Sequence, residues 1–284
     1  MTLLHTRRFH QLDVFTSQAM RGNPLAVVHD AASLSDESMS AFARWTNLSE
    51  TAFLLPPTCP EADYRVRIFT PGTELPFAGH PTLGSCQAWL WAGGQPKHAH
   101  EVVQECGVGL VRIRRDGSRL AFAAPPLRRT GSLEPAYREA LRVALGLQPD
   151  DIVTDQWVDN GPGWCALLLT SAKRVLAIQP DMAALSALNA KLGVVGPQTT
   201  DQDTRFEVRA FVPTFGVGED PVTGSLNAGL GQWLMGAGLA PSSYVASQGT
   251  VLGRRGRVHV DQIGETIWIG GEVAACVDGQ VMLP

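Results

Sequence analysis

An α+β fold of two similar lobes is the prediction for this 284-residue chain. Three observations make it: an internal duplication, short strand patterns alternating with few helices, and a length above the roughly 100 to 200 residues of an ordinary domain. The duplication is the strongest of them. Val66-Arg67-Ile68-Phe69-Thr70-Pro71 leads across a loop into Gly79-His80-Pro81-Thr82-Leu83-Gly84-Ser85, and Val208-Arg209-Ala210-Phe211-Val212-Pro213 leads into Glu219-Asp220-Pro221-Val222-Thr223-Gly224-Ser225. Each copy reads as a strand, a loop, a polar residue before proline, and a Gly-Ser start to an apolar helix ending near Trp89-Leu90-Trp91 or Trp233-Leu234-Met235. Two such copies predict lobes over residues 1–126 and 127–284, with the last strands free to cross back to the first lobe. They also set His80 opposite Asp220 across a pseudo-two-fold cleft.

Along the chain, apolar runs at 9–15 and 24–28 read as paired strands joined by a loop carrying Arg21-Gly22-Asn23, and Ser35 is the cap of a helix over 36–46. Strands at 51–55 and 64–70 precede a helix that follows Pro81 and runs to about residue 92, after which 102–104, 109–114 and 119–122 form a meander. Pro125-Pro126 and residues 128–132 mark the crossover. A helix over 136–145, strands at 155–158 and 164–169, a helix near 182–188 and a strand at 206–211 lead to the helix after Pro221. Strands at 257–260, 266–270 and 272–277 complete the second lobe. Residues 221–253 carry no charge, but Pro241, Ser242, Ser243 and several glycines break them, so they read as a buried helix rather than a membrane span.

Net charge is −4 and the charges are scattered, which excludes the basic footprint of nucleic-acid or membrane binding and leaves a small molecule as the expected partner. The hydrophobic fraction of 44% supplies real cores. Five cysteines form no C-x-x-C pair and are odd in number, against a disulfide framework or a structural zinc site, and the expected compartment is the cytoplasm. Arg7-Arg8 has no apolar stretch after it, so no signal peptide is expected. His98 and His100 lie in a polar loop with no carboxylate at ligand spacing and read as a solvated turn, not a metal site.

The helix starts carry the chemistry. Small residues at Thr82, Gly84 and Ser85 and at Thr223, Gly224 and Ser225 let a ligand approach the backbone, and the N–H groups and positive dipole end of each helix favour an anion, most simply a carboxylate. Asp220 has an ordinary reading as a helix N-cap, yet the adjacent Glu219 and the glycines at 216 and 218 suggest a further role. His80 alone would be a satisfied core histidine; its equivalence to Asp220 in the repeat favours a shared polar site. Asn47-Leu48-Ser49-Glu50 has the spacing of a capping box, but the run from Thr51 to Leu55 is strand-like and is closed by Pro56-Pro57. A carboxylate at the start of an apolar strand is costly unless used, and burial would raise its proton affinity into the range of acid/base work.

Several ordered segments together resemble the PhzF (phenazine biosynthesis) family: Asp13-Val14-Phe15-Thr16, Gly22-Asn23-Pro24-Leu25-Ala26-Val27-Val28, Asn47-Leu48-Ser49-Glu50-Thr51-Ala52-Phe53, Arg67-Ile68-Phe69-Thr70-Pro71 with Glu74-Leu75-Pro76-Phe77-Ala78-Gly79-His80-Pro81-Thr82, Glu219-Asp220-Pro221-Val222-Thr223-Gly224-Ser225, and Gln248-Gly249 with Gly253-Arg254 and Gly256. The resemblance implies the diaminopimelate-epimerase fold, in which two pseudo-symmetric lobes each wrap a mixed, mostly antiparallel sheet around a central helix, and a homodimer. It implies Glu50 as the acid/base that moves a proton within the substrate, His80 and Asp220 as its polar partners, and Gly79 and Ser225 beside the substrate's carboxylate, with Gly224 and Thr223 in the same binding turn. Relatives that racemise amino acids use a cysteine pair. Here Cys86 follows the first motif but Leu226 takes the matching place in the second, which disfavours a two-thiol epimerase.

The expected function is therefore a cofactor-independent, metal-free isomerase moving a proton on a small carboxylate-bearing metabolite. A hydrolase using Ser225, His80 and Asp220 lacks the G-x-S-x-G elbow and places its serine inside a helix start. The alternative is a non-catalytic metabolite- or partner-binding protein on the same scaffold, and an intact Glu50 separates the two.

Overall fold

Strands of largely buried residues build the first unit of the computed structural model, which describes residues 4–200, 202–213 and 218–284, and the run at 64–68 alone among the early strands alternates between buried and partly buried residues. The chain divides into two units, Met1–Ala123 with Gly270–Pro284 and Ala124–Ile269. In the first, β1 (His5–Val14) pairs antiparallel with β2 (Asn23–Val28). α1 (Asp36–Thr46) starts where Ser35 Oγ accepts the Ser38 N–H, as expected of its cap. β3 (Thr51–Leu55), β4 (Tyr64–Phe69), the short β5 (Glu74–Leu75), α2 (Gly79–Trp91), β6 (Glu101–Cys106), β7 (Gly109–Asp116) and β8 (Arg119–Ala123) come next. α2 is apolar around its circumference and touches β1, β2, β3, β4, β6 and β8, so the sheet wraps it as a central helix.

The second unit holds α3 (Pro135–Ala144), β9 (Ile152–Trp157), β10 (Cys165–Leu169), α4 (Ala172–Leu176), α5 (Met182–Ala187), β11 (Leu192–Pro197), β12 (Phe206–Phe211), the short β13 (Glu219–Asp220), α6 (Gly224–Gly236), β14 (Ser243–Gln248), β15 (Gly256–Ile263) and β16 (Thr266–Gly271). The final strand, β17 (Val273–Leu283), runs antiparallel to β1 and belongs to the first unit. Strand pairing is mixed in both units, and it repeats one order. β2–β3 is parallel, β3–β4 antiparallel, β4–β6 parallel and β6–β7 antiparallel; β10–β11, β11–β12, β12–β14 and β14–β15 take the same directions in the same order.

The duplication extends to side chains. β5 pairs with β4 and β13 with β12, and each short strand is clamped by an arginine fork. Arg67 Nε and Nη2 donate to the two Glu74 oxygens at 2.8 and 2.7 Å, and Arg209 Nε and Nη2 to those of Glu219 at 2.9 and 2.8 Å. Both guanidinium groups also lie over the phenylalanine two residues on, Phe69 and Phe211. α2 and α6 are each 13 residues long. Their close contacts are made at matched glycines: a Cβ on Gly84 would meet Leu25 at 2.5 Å, and one on Gly229 the Val158 carbonyl at 2.3 Å.

This register corrects the sequence alignment. With Glu74 matched to Glu219 and Gly79 to Gly224, Pro76 pairs with Pro221, His80 with Ser225, and Asp220 with Leu75, so His80 and Asp220 are not equivalent positions. Cys86 and Leu226 are not counterparts either. α2 begins at Gly79, ahead of Pro81, whereas α6 begins three residues after Pro221. Asp220 is therefore not the cap of α6; Thr223 occupies that position. Of the two glycines preceding it, Gly216 lies outside the described residues.

The segment 221–253 is not one buried helix. α6 ends at Gly236, and β14 comes after it. β11 and α4 are further elements that the sequence pattern does not predict. In β11, Gly193 and Gly196 look like loop residues, but the close approach of Leu226 and of the Ser171 carbonyl leaves no room for a Cβ. Each unit has its own apolar cluster besides the packing on its central helix: Met39, Phe42, Phe53 and Phe69 under α1, and Leu141, Leu167, Leu185, Leu192 and Phe211 under α3 and α5.

Candidate active site

Glu50 is delivered by the end of α1. Asn47 closes that helix in the left-handed conformation at φ 53°, which asparagine tolerates better than most residues. Soon afterwards β3 begins at Thr51, and the Thr46 and Thr51 hydroxyls, 2.9 Å apart, tie helix end to strand start. The capping-box reading of Asn47 to Glu50 is thus replaced: Asn47 ends a helix instead of starting one. Glu50 keeps 16% side-chain exposure, yet its Oε2 is buried with no good hydrogen bond among the described residues. That oxygen lies 3.4 Å from Nε2 of His80, which is only 6% exposed.

His80 is the second residue of α2, and the helix start holds it beside Glu50. Ala78 offers no side-chain cap, unlike Ser35, Ser171 and Asp181, which cap α1, α4 and α5. α6 is likewise without a side-chain cap at Thr223. Central helices with uncapped first turns present N–H groups and a positive dipole end suited to an anion. Gly79 and Gly224 are buried or nearly so at these starts, and Ser225 is partly exposed.

Burial pushes the Glu50 carboxyl up from 4.5 to about 7, with the Ser49 hydroxyl pulling the other way. The folded protein consequently binds this proton more tightly than the unfolded chain. The resulting stabilisation is complete below about pH 4.5 and is lost as pH rises through about 7, on the order of 3 kcal/mol by linkage. Glu50→Gln, neutral at every pH, is expected to unfold at higher denaturant than the wild type at pH 8, with the margin vanishing toward pH 4.5. Urea titrations of both proteins across that range check it, and a margin independent of pH would contradict the raised carboxyl.

In the second unit the site residues form a different cluster. Thr223 Oγ1 donates to Asp220 Oδ2 at 2.6 Å. Trp164 Nε1 donates to Ser225 Oγ at 2.9 Å, and Asn160 Nδ2 to the Ser225 carbonyl at 2.8 Å. Trp164, Asn160 and the buried Gln248 are not singled out by the sequence as site residues. For Gln248 a signal exists, since it stands in the Gln248-Gly249 segment of the resemblance; in each unit a buried glutamine on the strand after the central helix bonds to that helix, although by register Gln248 matches Cys106 and Gln104 matches Ala246. Gln104 Nε2 donates to Thr82 Oγ1 at 3.1 Å in α2, and Asn227 Nδ2, in α6, donates to Gln248 Oε1 at 2.8 Å. Glu219 has no spare role as a second carboxylate, because the Arg209 fork occupies both its oxygens.

The cysteines are poor candidates for proton transfer. Burial pushes the Cys86 thiol well above its usual range and that of Cys165 up to about 12. Among the described residues no three His, Cys, Asp or Glu side chains group as metal ligands, and His98 and His100 are exposed. No helix among the described residues is long and apolar enough to cross a membrane.

Comparison with known proteins agrees with this architecture. The chain is 37% identical to antisense-enhancing sequence 1 of Schizosaccharomyces pombe, over 96% of this chain and 97% of that protein. It is 34% identical to an uncharacterized isomerase of Mesorhizobium japonicum, over 99% and 100%. The crystal structure of a phenazine biosynthesis protein of the PhzF family from Enterococcus faecalis superposes with a TM-score of 0.81 at 25% identity, covering 98% of this chain and 99% of that one. The family model for phenazine biosynthesis-like proteins matches residues 12–279. The chain, with mixed strand pairing, a repeated order of strands and matched central helices, belongs to the phenazine biosynthesis-like (PhzC-PhzF) family.

Proposed function

We propose that this protein is a cofactor-independent isomerase that moves a proton on a small carboxylate-bearing metabolite. The observation that carries the reading is Glu50: a carboxyl with its Oε2 buried, held near pH 7 in proton affinity, 3.4 Å from His80 at the uncapped start of a central helix. A group that is half-protonated near neutrality can both accept and return a proton. Glu50 takes a proton from a carbon of the substrate and returns it to another carbon or to the opposite face, so the molecular formula is unchanged. His80 orients the carboxyl. The N–H groups beginning at Gly79 hold the substrate's carboxylate or the charge that develops on proton loss. Asp220 is the further polar group of the reaction, with Thr223, Gly224 and Ser225 in the binding turn. The isomerase name of the Mesorhizobium relative supports the class. In this reading the protein acts as a cytoplasmic homodimer.

The test is incubation with a panel of small carboxylic acids in deuterated water, with a chelator and a thiol-alkylating agent present, followed by proton NMR. The expected result is replacement of one carbon-bound proton by deuterium in a single class of acid, with appearance of its isomer. Binding of an acid without any exchange would favour a non-catalytic binding protein, and activity lost to chelator but restored by one metal would overturn the cofactor-free reading.

A further inference from the structure

The direction of the hydrogen bonds around Asp220 is dictated by groups that have no choice. The Thr223 backbone N–H can only donate, so the Gln248 atom 3.1 Å from it is the carbonyl oxygen Oε1. The Thr223 carbonyl can only accept, so the Asn227 atom at 2.9 Å is its amide nitrogen, and that nitrogen also donates to Gln248 Oε1 at 2.8 Å. Both amides are thereby fixed in orientation by backbone groups. Gln248 Nε2 must then point the other way, donating to the Asp220 carbonyl at 3.2 Å and to Thr223 Oγ1 at 2.9 Å. Because the Thr223 hydroxyl accepts from Gln248, its single hydrogen is directed at Asp220 Oδ2, 2.6 Å away. Gln248 and Asn227 are fully buried and Thr223 is nearly so, so water does not compete for these groups.

We propose that Gln248 and Thr223 are positioning residues that lock the Asp220 carboxylate in one orientation and keep Oδ2 as an acceptor. The two units differ here in the way the proposal requires. In the first unit Leu75 stands in the place of Asp220, Ala78 in that of Thr223 and, by strand register, Cys106 in that of Gln248, so neither the carboxylate nor the groups that would hold it are present there. The relay from amide to hydroxyl to carboxylate occurs where a carboxylate needs holding. A short hydrogen bond from a hydroxyl to a carboxylate favours the ionised form. Asp220 is thereby a held acceptor, distinct in task from Glu50, whose carboxyl burial lifts to about 7 despite the Ser49 hydroxyl. This rests on the proposed reading of Asp220 as a group of the reaction.

The experiment tracks the Asp220 carboxyl carbon by 13C NMR in protein labelled at aspartate carboxyls, with the resonance assigned by its loss in Asp220→Asn. Thr223→Val keeps the shape but removes the hydroxyl, and Thr223→Ser restores it; Thr223→Ala provides the same arm if the valine variant does not fold. The midpoint of the titration is expected to rise by about one pH unit in Thr223→Val, a roughly tenfold gain in proton affinity, and to return to the wild-type value in Thr223→Ser. A valine or alanine variant titrating with the wild type overturns the proposal, as does a serine variant that behaves like valine. The two readings fail separately. If Asp220→Asn leaves deuterium exchange at the wild-type rate, Asp220 has no part in the reaction, while the titration still reports whether Thr223 holds it.

Discussion

Glu50→Gln is expected to lower deuterium exchange on a confirmed substrate by about 10² to 10⁴-fold while leaving substrate affinity near the wild-type value. Glutamine fills the same volume and keeps an oxygen toward His80, so the variant loses the transferable proton and little else. The size of the effect comes from the site: Oε2 is buried, and His80 Nε2 is 3.4 Å from it. The wild-type rate of proton abstraction should rise with pH through about 7, as the carboxyl lifted there by burial becomes the free base. Single-turnover exchange and equilibrium binding of the same acid separate the two effects. A glutamine variant exchanging at the wild-type rate would remove Glu50 from the mechanism, and a variant that no longer binds would assign it to recognition.

Arg209→Ala should destabilise the protein by about 3 to 5 kcal/mol, far more than Arg67→Ala at the matching position. The two forks have the same geometry and different surroundings. Arg209 and Glu219 are 3% and 7% exposed, whereas Glu74 is 41% exposed and Asp36, the other partner of Arg67, 81%. Removing Arg209 leaves a buried carboxylate without its counter-charge. It also strips a donor from the Val175 and Ile178 carbonyls, which Arg209 Nη1 reaches at 3.3 and 2.8 Å. At the more exposed fork, solvent screens the loss, so a much smaller effect is expected. Denaturant midpoints of the two variants, together with Arg209→Met combined with Glu219→Leu, check this. The double variant should recover part of the loss, since no charge is then left unpaired. Equal effects at both positions would show that burial does not set the strength of the forks.

Much of the fold is legible in the residue order because its signals are local. Ser35 caps α1 as expected, β12 runs over Phe206–Phe211, and the apolar stretches after the Gly-Ser motifs form the two central helices. The strands missed are those whose signal is not local. β11 contains glycines that only the approach of Leu226 and Ser171 explains, and β14 lies in an uncharged stretch that could equally continue a helix. The repeat itself is a duplication, as read, but aligned on the wrong prolines. Polar-residue-before-proline matches His80 to Asp220, while the arginine forks and the short strands they hold match Glu74 to Glu219.

The chain's residue order is sufficient for the family, the α+β class and the candidacy of Glu50, because these depend on short motifs and on a carboxylate placed at the start of an apolar strand. It could not show that burial lifts the Glu50 carboxyl to about 7, that Glu219 is consumed by Arg209, or that Thr223 turns its hydroxyl toward Asp220. Proton affinity depends on how much water is excluded, and the direction of a hydroxyl on which donors surround it. Both are set by residues such as Gln248, 25 positions from Thr223 along the chain, that meet only when the strands pair around the helix.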